Sequence, residues 1–469
     1  MEHRKWPYTV SQEADEARVE GDINTTPARQ RWYARLPEQT RALLDEDARW
    51  FLHQSLSTPC LNALRAASGC YLEAVDGRLI LDFHGNNVHQ IGYAHPHVVQ
   101  AVCEQLQRLP FTPRRYTNEL VVRLAAALAQ RAPGDDNWKV LFAPGAAEAV
   151  SMALKLARRV TGRYKVLSFW GSFHGATLDT IAVGGEALFR RGLGPLLPGV
   201  VHAPPCRPRG CPFGCPGTCS LRCVDYLDYV MQQDGEIGAV LVETVRNTEV
   251  WAPPSSYYPA LRQVCTRHGA LLILDETAVA LGRTGKMFAI EHYDCLPDMI
   301  VLGKGLGGGV FPLAALLARS ELDCVADTAI GHFTHEKTPV GAAAGLATLQ
   351  VLAEEGLIER AARLGPFFAA QLSQRVGHFP CVGALRQIGL LFALDIIEPH
   401  QPGHLWPAGA EAILYAALER GLSFKLGGGC TLTLSPPLIV SEQQWQDACQ
   451  ILSEAMSSVL STSALPGGE

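Results

Sequence analysis

The chain has 469 residues, of which 48% are hydrophobic, and a formal net charge of −6. This is enough apolar material for a large core, and the mild acidity argues against a nucleic-acid-binding surface. No apolar stretch approaches the roughly 20 residues that span a bilayer, and the start lacks the apolar centre of a signal peptide, so we expect a cytoplasmic enzyme without a membrane partner.

In chain order, residues 1–80 are expected to form an N-terminal arm and a hairpin that turns at Asp76-Gly77. Strands and helices then alternate, which is typical of an α/β fold with a mainly parallel sheet. The stretch Ala147–Val160 predicts a long helix. The predicted strands are Lys139–Phe142, Lys165–Phe169, Ala239–Glu243, Leu271–Leu274 and Met299–Leu302.

From about Gly341 the pattern changes to helix, strand, helix, strand, helix, and ends near Leu460. We therefore predict a small-domain segment and arm over 1–80, a large ligand-binding domain over 81–340 and a C-terminal small domain over 341–469. The last seven residues are expected to form a frayed tail.

Two of the predicted strands end in charged residues. Asp275 follows the first, and Lys304 follows the second after Gly303. Ligands bind beyond the carboxyl ends of strands in open α/β sheets. An acid and a lysine at such an edge suit pyridoxal 5′-phosphate (PLP), which needs a lysine for its Schiff base and a carboxylate at its pyridine nitrogen. The alternative is a pair of buried strands whose polar ends are only solvated.

The same segment resembles the class III (ω-type) aminotransferases. Their ordered signature is present as Asp275-Glu276, Gly282–Gly285, Pro297-Asp298 and Gly303–Gly305. The resemblance covers residues from about 60 to 460. It implies PLP fold type I, like aspartate aminotransferase, with a large PLP-binding domain, a smaller α+β domain, and a homodimer or dimer of dimers with active sites at the subunit interface.

The phosphate end of PLP requires backbone amides at a helix N-terminus. Gly145, Ala146 and Ala147 supply them where a strand leads into the long helix, although an ordinary strand-to-helix loop is the alternative. The resemblance also implies that Thr334 reaches the phosphate of the neighbouring subunit.

Further cofactor contacts follow from the resemblance. Phe173, followed by His174 and Gly175, matches the aromatic-His-Gly motif whose aromatic ring stacks on the cofactor. Glu243 matches a glutamate near the cofactor and its lysine. Thr277 is expected at the cofactor ring in place of the usual Val or Ile, and Ala278 replaces a Gln that donates to the phenolic oxygen.

The family's arginine for an α-carboxylate is replaced by Thr433, which cannot form a bidentate fork. An ordinary α-amino acid is therefore not the expected substrate. Lys425 is a possible point charge of unknown direction.

Arg114 and Arg115 are the best predicted anion site, suited to a phosphate or phosphonate, although a solvated pair or an ion pair with Glu119 fits equally. Asn86 and Asn87 lie in a polar stretch that also favours a polar substrate, although these residues could satisfy one another at a dimer interface.

Five cysteines lie close together in one predicted loop, with three or four residues between neighbours: Cys206, Cys211, Cys215, Cys219 and Cys223. A zinc or iron–sulfur site is conceivable, but short Cys-x-x-Cys pairs are missing. We expect reduced thiols and no metal, with a fortuitous disulfide as the oxidised alternative.

Four segments together resemble the ammonia-lyases of this family that act on a hydroxy-aminophosphonate: 83–96, 113–119, 211–223 and 275–278. The implied reaction is elimination from (R)-1-hydroxy-2-aminoethylphosphonate to give phosphonoacetaldehyde and ammonia, with Lys304 as the base. The alternatives are an ω-aminotransferase that moves an amino group from a primary amine without an α-carboxylate to a keto acid, and a non-enzymatic module built around the cysteine loop.

Overall fold

The computed structural model describes residues 26–55, 60–135, 137–207, 211–215, 219–401 and 403–463. Residues 1–25 of the segment expected to form the N-terminal arm and hairpin, and all but the first residue of the expected tail, lie outside these ranges. None of the helices within them combines the length and the apolar character needed to cross a membrane. The cytoplasmic location stays a prediction.

The elements are numbered in chain order. The strands are β1 Leu64–Ser68, β2 Tyr71–Ala74, β3 Leu79–Asp82, β4 Trp138–Ala143, β5 Lys165–Phe169, β6 Val200–Ala203, β7 Ile237–Glu243, β8 Leu271–Asp275, β9 Met299–Leu302, β10 Ala314–Arg319, β11 Val382–Ile388, β12 Leu391–Ile396, β13 Leu422–Ser423, β14 Lys425–Gly427 and β15 Thr431–Leu434. The helices are α1 Pro27–Arg35, α2 Glu38–Trp50, α3 Pro96–Arg108, α4 Glu119–Ala129, α5 Ala146–Thr161, α6 Leu178–Val183, α7 Arg222–Asp234, α8 Tyr257–Arg267, α9 Pro339–Glu354, α10 Leu357–Val376, α11 Pro407–Glu419 and α12 Glu442–Ser463.

A seven-stranded sheet in the order β4-β10-β9-β8-β7-β5-β6 forms the centre of the molecule. β10 alone runs opposite to the other six strands, so the predicted mainly parallel sheet is confirmed. Strands β6 and β10 were not predicted. β6 has only two β-branched residues, and β10 is rich in Ala and Leu, which favour helices as readily as strands.

The central strands are buried on both faces, as expected for unbroken apolar runs in a parallel sheet. Helix α5 packs across β10, β9 and β7 on one face. Its apolar stripe includes Ala149 and Ala153, which share a core cluster with Ile273 and Val301 of the sheet. The helix ends at Gly162, whose φ of 67° is a left-handed cap. This packing fixes the N-terminus of α5 at one edge of the sheet.

Two smaller sheets flank the large one. The first has the order β1-β2-β3-β13 and contains the predicted hairpin, with Gly77 in the turn at a φ of 85°. Its β3 pairs in parallel with β13 from the C-terminal part of the chain, so Leu81 lies opposite Leu422. The second has the order β11-β12-β15-β14 and is antiparallel. The predicted boundaries after residues 80 and 340 stay predictions.

Candidate active site

Four neighbouring strands of the large sheet bring functional side chains to one edge. Strand β9 is followed by Lys304, β8 ends at Asp275, β7 ends at Glu243, and the loop after β5 carries Phe173. All four strands are parallel, so their carboxyl ends meet at the same edge. These side chains line one cavity of about 420 Å³. The predicted site residues in its wall are Asn86, Asn87, Ala146, Phe173, His174, Glu243, Asp275, Thr277 and Lys304.

Asp275 is the buried acid of this cavity. One carboxylate oxygen lies 2.9 Å from Nδ1 of His174, and the other accepts a hydrogen bond from the backbone N–H of Thr277 at 3.1 Å. Burial alone would raise the pKa of Asp275, but the hydrogen bonds from His174 and Thr277 hold that pKa below its ordinary value. The site therefore contains a fixed negative charge at neutral pH.

Lys304 emerges from a tightly packed turn. Its φ of 47° lies in the left-handed region, which is uncommon for a non-glycine residue and typical of functional sites. A Cβ on the preceding Gly303 would stand 3.0 Å from Ala146 Cβ and 3.1 Å from Thr277 Cγ2. A Cβ on the following Gly305 would overlap the side chain of Gln90. The glycines on both sides let the lysine backbone lie directly against the cavity wall.

The N-terminus of α5 opens at the same edge. Gly145 is its N-cap and Ala146 its first residue, so the amides of the first turn have no partner within the helix. Gly175 lies against this turn with a φ of 124°, and a Cβ there would stand 2.7 Å from Ala147 Cβ. The absence of side chains at these points leaves the helix amides accessible to an anion.

Phe173 is 36% exposed and packs against Phe189, with ring centroids 4.8 Å apart. Its backbone N–H donates to Glu243 at 2.8 Å, and Nη1 of Arg246 donates to the same oxygen at 2.7 Å. Arg246 also pairs with Glu186. Glu243 therefore links the aromatic loop to the half-buried Arg246 and holds both in position.

Arg246 was not singled out by the sequence analysis, and it lines the cavity with Asn247, Thr248 and Phe189. Burial would lower the pKa of the guanidinium, but Glu243 and Glu186 raise it above its ordinary value, so the charge is permanent. Arg246, Asn247 and Thr248 lie in the loop after β7, which ends at Glu243, so attention to the loop beyond that strand end would have found them. Phe189 carries no comparable signal in the sequence.

Arg114, Arg115 and Thr334 are not among the residues that line the cavity in this chain. Arg114 contacts the ring of His332, and Arg115 and Thr334 are exposed. The predicted role of Arg114 and Arg115 at the substrate stays a prediction. So does that of Thr334, which requires the phosphate of a neighbouring subunit.

Thr433 is buried, and its hydroxyl donates to the backbone oxygen of Thr248. It lies opposite Lys425 in the pairing of β14 with β15, and directly opposed residues point to the same face of a sheet. Lys425 lines the cavity that contains Lys304. Lys425, whose direction sequence reasoning left open, therefore lies at the wall of the cavity and in register with Thr433.

The residues of the cavity fit PLP. Asn87 Oδ1, Asn247 Oδ1 and Thr248 Oγ1 are buried and have no hydrogen-bond partner among the described residues, so a polar ligand would satisfy them. The lysine, the ionised Asp275 and the glycine-lined start of α5 match the aldehyde, the pyridine nitrogen and the phosphate of that cofactor.

Comparisons with known proteins agree with the assignment of this cavity to PLP. The model of the aminotransferase class-III family matches residues 53–456. The chain is 43% identical over 458 residues, 94% of this chain and 95% of the other, to (R)-1-hydroxy-2-aminoethylphosphonate ammonia-lyase of Vibrio splendidus. It is 32% identical to alanine/serine racemase of Pyrococcus horikoshii, with 84% of this chain and 85% of the other covered.

Among solved structures, the taurine:2-oxoglutarate aminotransferase of Bifidobacterium kashiwanohense, in complex with PLP and glutamate, superimposes with a TM-score of 0.81 at 27% identity. The match covers 90% of this chain and 99% of that one. The predicted fold class, PLP fold type I, is confirmed. The chain belongs to the class III aminotransferase family.

Proposed function

We propose that this protein is a PLP-dependent ammonia-lyase that converts (R)-1-hydroxy-2-aminoethylphosphonate into phosphonoacetaldehyde and ammonia. The observation that carries the proposal is the pair of Lys425 and Thr433. Thr433 stands where the family has its carboxylate-binding arginine, and its hydroxyl donates a hydrogen bond to the backbone oxygen of Thr248. Lys425, which lies opposite Thr433 in the sheet, lines the cavity. The ammonia-lyase of Vibrio splendidus, at 43% identity, supports the same reaction.

The cofactor is PLP, which when bound supplies an aldehyde for the amine and a ring that withdraws electrons from the amine-bearing carbon. Lys304 would hold the aldehyde end, and Asp275 would keep the pyridine nitrogen protonated. The amides of Ala146 and Ala147 would hold the phosphate, and Phe173 would cover a face of the ring. Nδ1 of His174 lies 2.9 Å from a carboxylate oxygen of Asp275 and would keep that side chain in place.

We assign two tasks to Lys304. Its amine would hold the cofactor, and it would also be the base that removes a proton from the amine-bearing carbon of the substrate. The neighbouring carbon would lose its hydroxyl group, which leaves as water with that proton. A water molecule would then replace the nitrogen and release it as ammonia. The balance is one ammonia and one phosphonoacetaldehyde per substrate, without any oxidant or keto acid.

The phosphonate is the end of the substrate that needs a cationic partner. The ammonium group of Lys425 is a flexible point charge, which can pair with a phosphonate. It cannot form the bidentate pair that the planar guanidinium of an arginine forms with a carboxylate. Arg246 provides a second, permanent charge in the same wall. We propose Lys425 as the primary phosphonate contact, with Asn86 and Asn87 as polar neighbours.

We further propose a homodimer in which Arg114, Arg115 and Thr334 of one chain complete the site of the other. Their places outside the cavity of their own chain motivate this assignment. The intact set of Lys304, Asp275 and Glu243 argues against the non-enzymatic alternative.

The decisive experiment incubates the PLP-loaded enzyme with (R)-1-hydroxy-2-aminoethylphosphonate and measures ammonia in the absence of any keto acid. We expect release over many turnovers, and none from Lys304→Ala. No ammonia without a keto acid, together with alanine formed from added pyruvate or glutamate formed from added 2-oxoglutarate, would overturn the lyase and establish the ω-aminotransferase.

A further inference from the structure

Three cysteines of the loop after β6 converge on one point. Cys206, Cys219 and Cys223 each place a sulfur within 4.8 Å of the other two, and the Sγ atoms of Cys206 and Cys219 are 3.9 Å apart. A zinc–sulfur bond of about 2.3 Å puts the corners of a tetrahedron about 3.8 Å apart. A disulfide would need about 2.05 Å, and all three cysteines are free. The spacing matches shared coordination of a single ion.

The fold brings these residues together from two elements. Cys206 follows β6, whereas Cys223 is buried in the first turn of α7. Between Cys219 and Cys223 the backbone turns through Leu221, whose φ of 58° is left-handed. This turn brings Cys219 close to the start of α7, although the sequence contains no Cys-x-x-Cys pair there.

A further cysteine lies next to the chain segment that carries Cys219. The Sγ of Cys215 is 3.4 Å from Oγ of Ser220, the residue after Cys219. Cys215 and Cys219 are both only partly buried. Arg222 donates to the backbone oxygen of Phe213 across the same loop at 3.2 Å.

We propose that Cys206, Cys219 and Cys223, with Cys215 as the fourth ligand, bind a structural Zn²⁺ ion. Four thiolates close the coordination shell, so the ion has no open position and takes no part in the reaction. An iron–sulfur cluster would distribute its cysteines over several iron atoms, whereas these sulfurs converge on one point. The proposal replaces the expectation of metal-free thiols and is independent of the proposed reaction.

The ion would stabilise a wall next to the active site. Pro205, Cys206 and Arg207 line a second cavity of about 240 Å³, which shares Glu243 and Arg246 with the cavity of Lys304. A fixed Cys206 therefore positions the loop that borders these two residues.

The first test measures metals by mass spectrometry in the enzyme purified without metal-affinity steps. We expect about one zinc per chain that survives dialysis against EDTA. Cys219→Ser should retain less than a tenth of it, whereas Cys324→Ser, at an exposed cysteine outside the loop, should retain all. A native enzyme without stoichiometric zinc, or a Cys219→Ser variant with full zinc, would overturn the proposal.

A second measurement does not depend on the folding of a variant. The native chain produced with Co²⁺ in place of zinc should show sulfur-to-cobalt charge-transfer absorption and the strong visible bands of tetrahedral cobalt. Only weak octahedral bands would contradict a thiolate site. For the fourth ligand, Cys215→Ser should weaken zinc retention against a competing chelator at least tenfold while Cys211→Ser leaves it unchanged, and the reverse result would exclude Cys215.

Discussion

The buried carboxylate of Asp275 lies 2.9 Å from Nδ1 of His174. Because Asp275 is ionised, this ring nitrogen is the donor, and Nε2 has no hydrogen-bond partner among the described residues. His174 thus orients the acid and favours its charged form without reaching the reacting atoms. It is a positioning residue for the group that would keep the pyridine nitrogen protonated.

His174→Ala should move the acidic limb of the activity profile to higher pH. Burial raises the pKa of Asp275 and His174 lowers it, so removal of the ring leaves burial with less opposition. Asp275 then takes up a proton at a higher pH, and activity is lost earlier on acidification. The measurement is kcat for ammonia release against pH.

Asp275→Asn serves as the reference, and it should lower kcat at every pH by about a hundredfold to a thousandfold. A His174→Ala variant with lower activity but an unshifted acidic limb would assign His174 a purely packing role.

The sequence could predict those site residues whose position depends on their own strand, and not those whose position depends on the pairing of distant strands. Asp275 and Glu243 are the last residues of buried strands, and Lys304 is the second residue after one, so the sheet brings all three to one edge. The direction of Lys425 depends instead on the pairing of β14 with β15. No local pattern encodes that register.

The limits at the fold level have similar causes. The alternation of strands and helices predicted the parallel sheet, but β10 enters it antiparallel and was missed because its Ala and Leu residues carry little strand preference. The convergence of the cysteines was not predictable, because it depends on spacing in space: the Sγ atoms of Cys206 and Cys219 lie 3.9 Å apart across thirteen positions of the chain.

Gly175→Ala should weaken PLP binding by about tenfold or more, since overlap in a packed region costs about 1–3 kcal/mol. The new Cβ would stand 2.7 Å from Ala147 Cβ and push on the first turn of α5. The measurement is PLP retained after dialysis, followed by its absorbance.

Gly171→Ala is the matched control for that variant. Gly171 also has a positive φ, 75°, but a Cβ there would meet nothing within 4 Å. Equal loss of PLP in both variants would show that backbone strain, and not contact with α5, is responsible.

Lys425→Met should raise KM for the phosphonate substrate by about tenfold to a hundredfold, the range of one charge-assisted hydrogen bond. It should change kcat much less, because Lys425 is assigned to the phosphonate end and not to the proton that Lys304 removes. Steady-state kinetics of ammonia release separate the two parameters.

Lys139→Met is the matched control. It removes a surface lysine that pairs with Asp323, and it should leave KM unchanged. An unaltered KM in Lys425→Met would transfer phosphonate binding to Arg246 or to the arginines of a second chain.

Because the imidazole of His89 is buried, we expect the free energy of unfolding to fall in mild acid. Burial lowers the pKa of the folded imidazole to about 4, against the partial opposition of Asp82, whereas the unfolded residue titrates near the ordinary value. Between these values the unfolded state binds more protons, so acid favours unfolding. From pH 7.5 to 5.5 this group costs about 1 kcal/mol.

His89→Gln should therefore lose less stability than the wild type between these two pH values, as followed by thermal unfolding. His97→Gln, at an exposed histidine bonded to Gln350, should keep the wild-type dependence. Identical pH dependence in wild type and His89→Gln would mean that other groups control acid unfolding.

Subunit complementation tests whether Arg114 and Arg115 act across a dimer. Lys304→Ala and the double variant Arg114→Ala/Arg115→Ala should each be nearly inactive alone. If each site combines Lys304 of one chain with the arginines of the other, a mixed dimer has one intact site, because each chain supplies what its partner lacks. Random exchange makes half of the dimers mixed, so about a quarter of wild-type activity should return. If the arginines serve their own chain's site, every site of the mixed dimer lacks one component, and the mixture should stay as inactive as its parents.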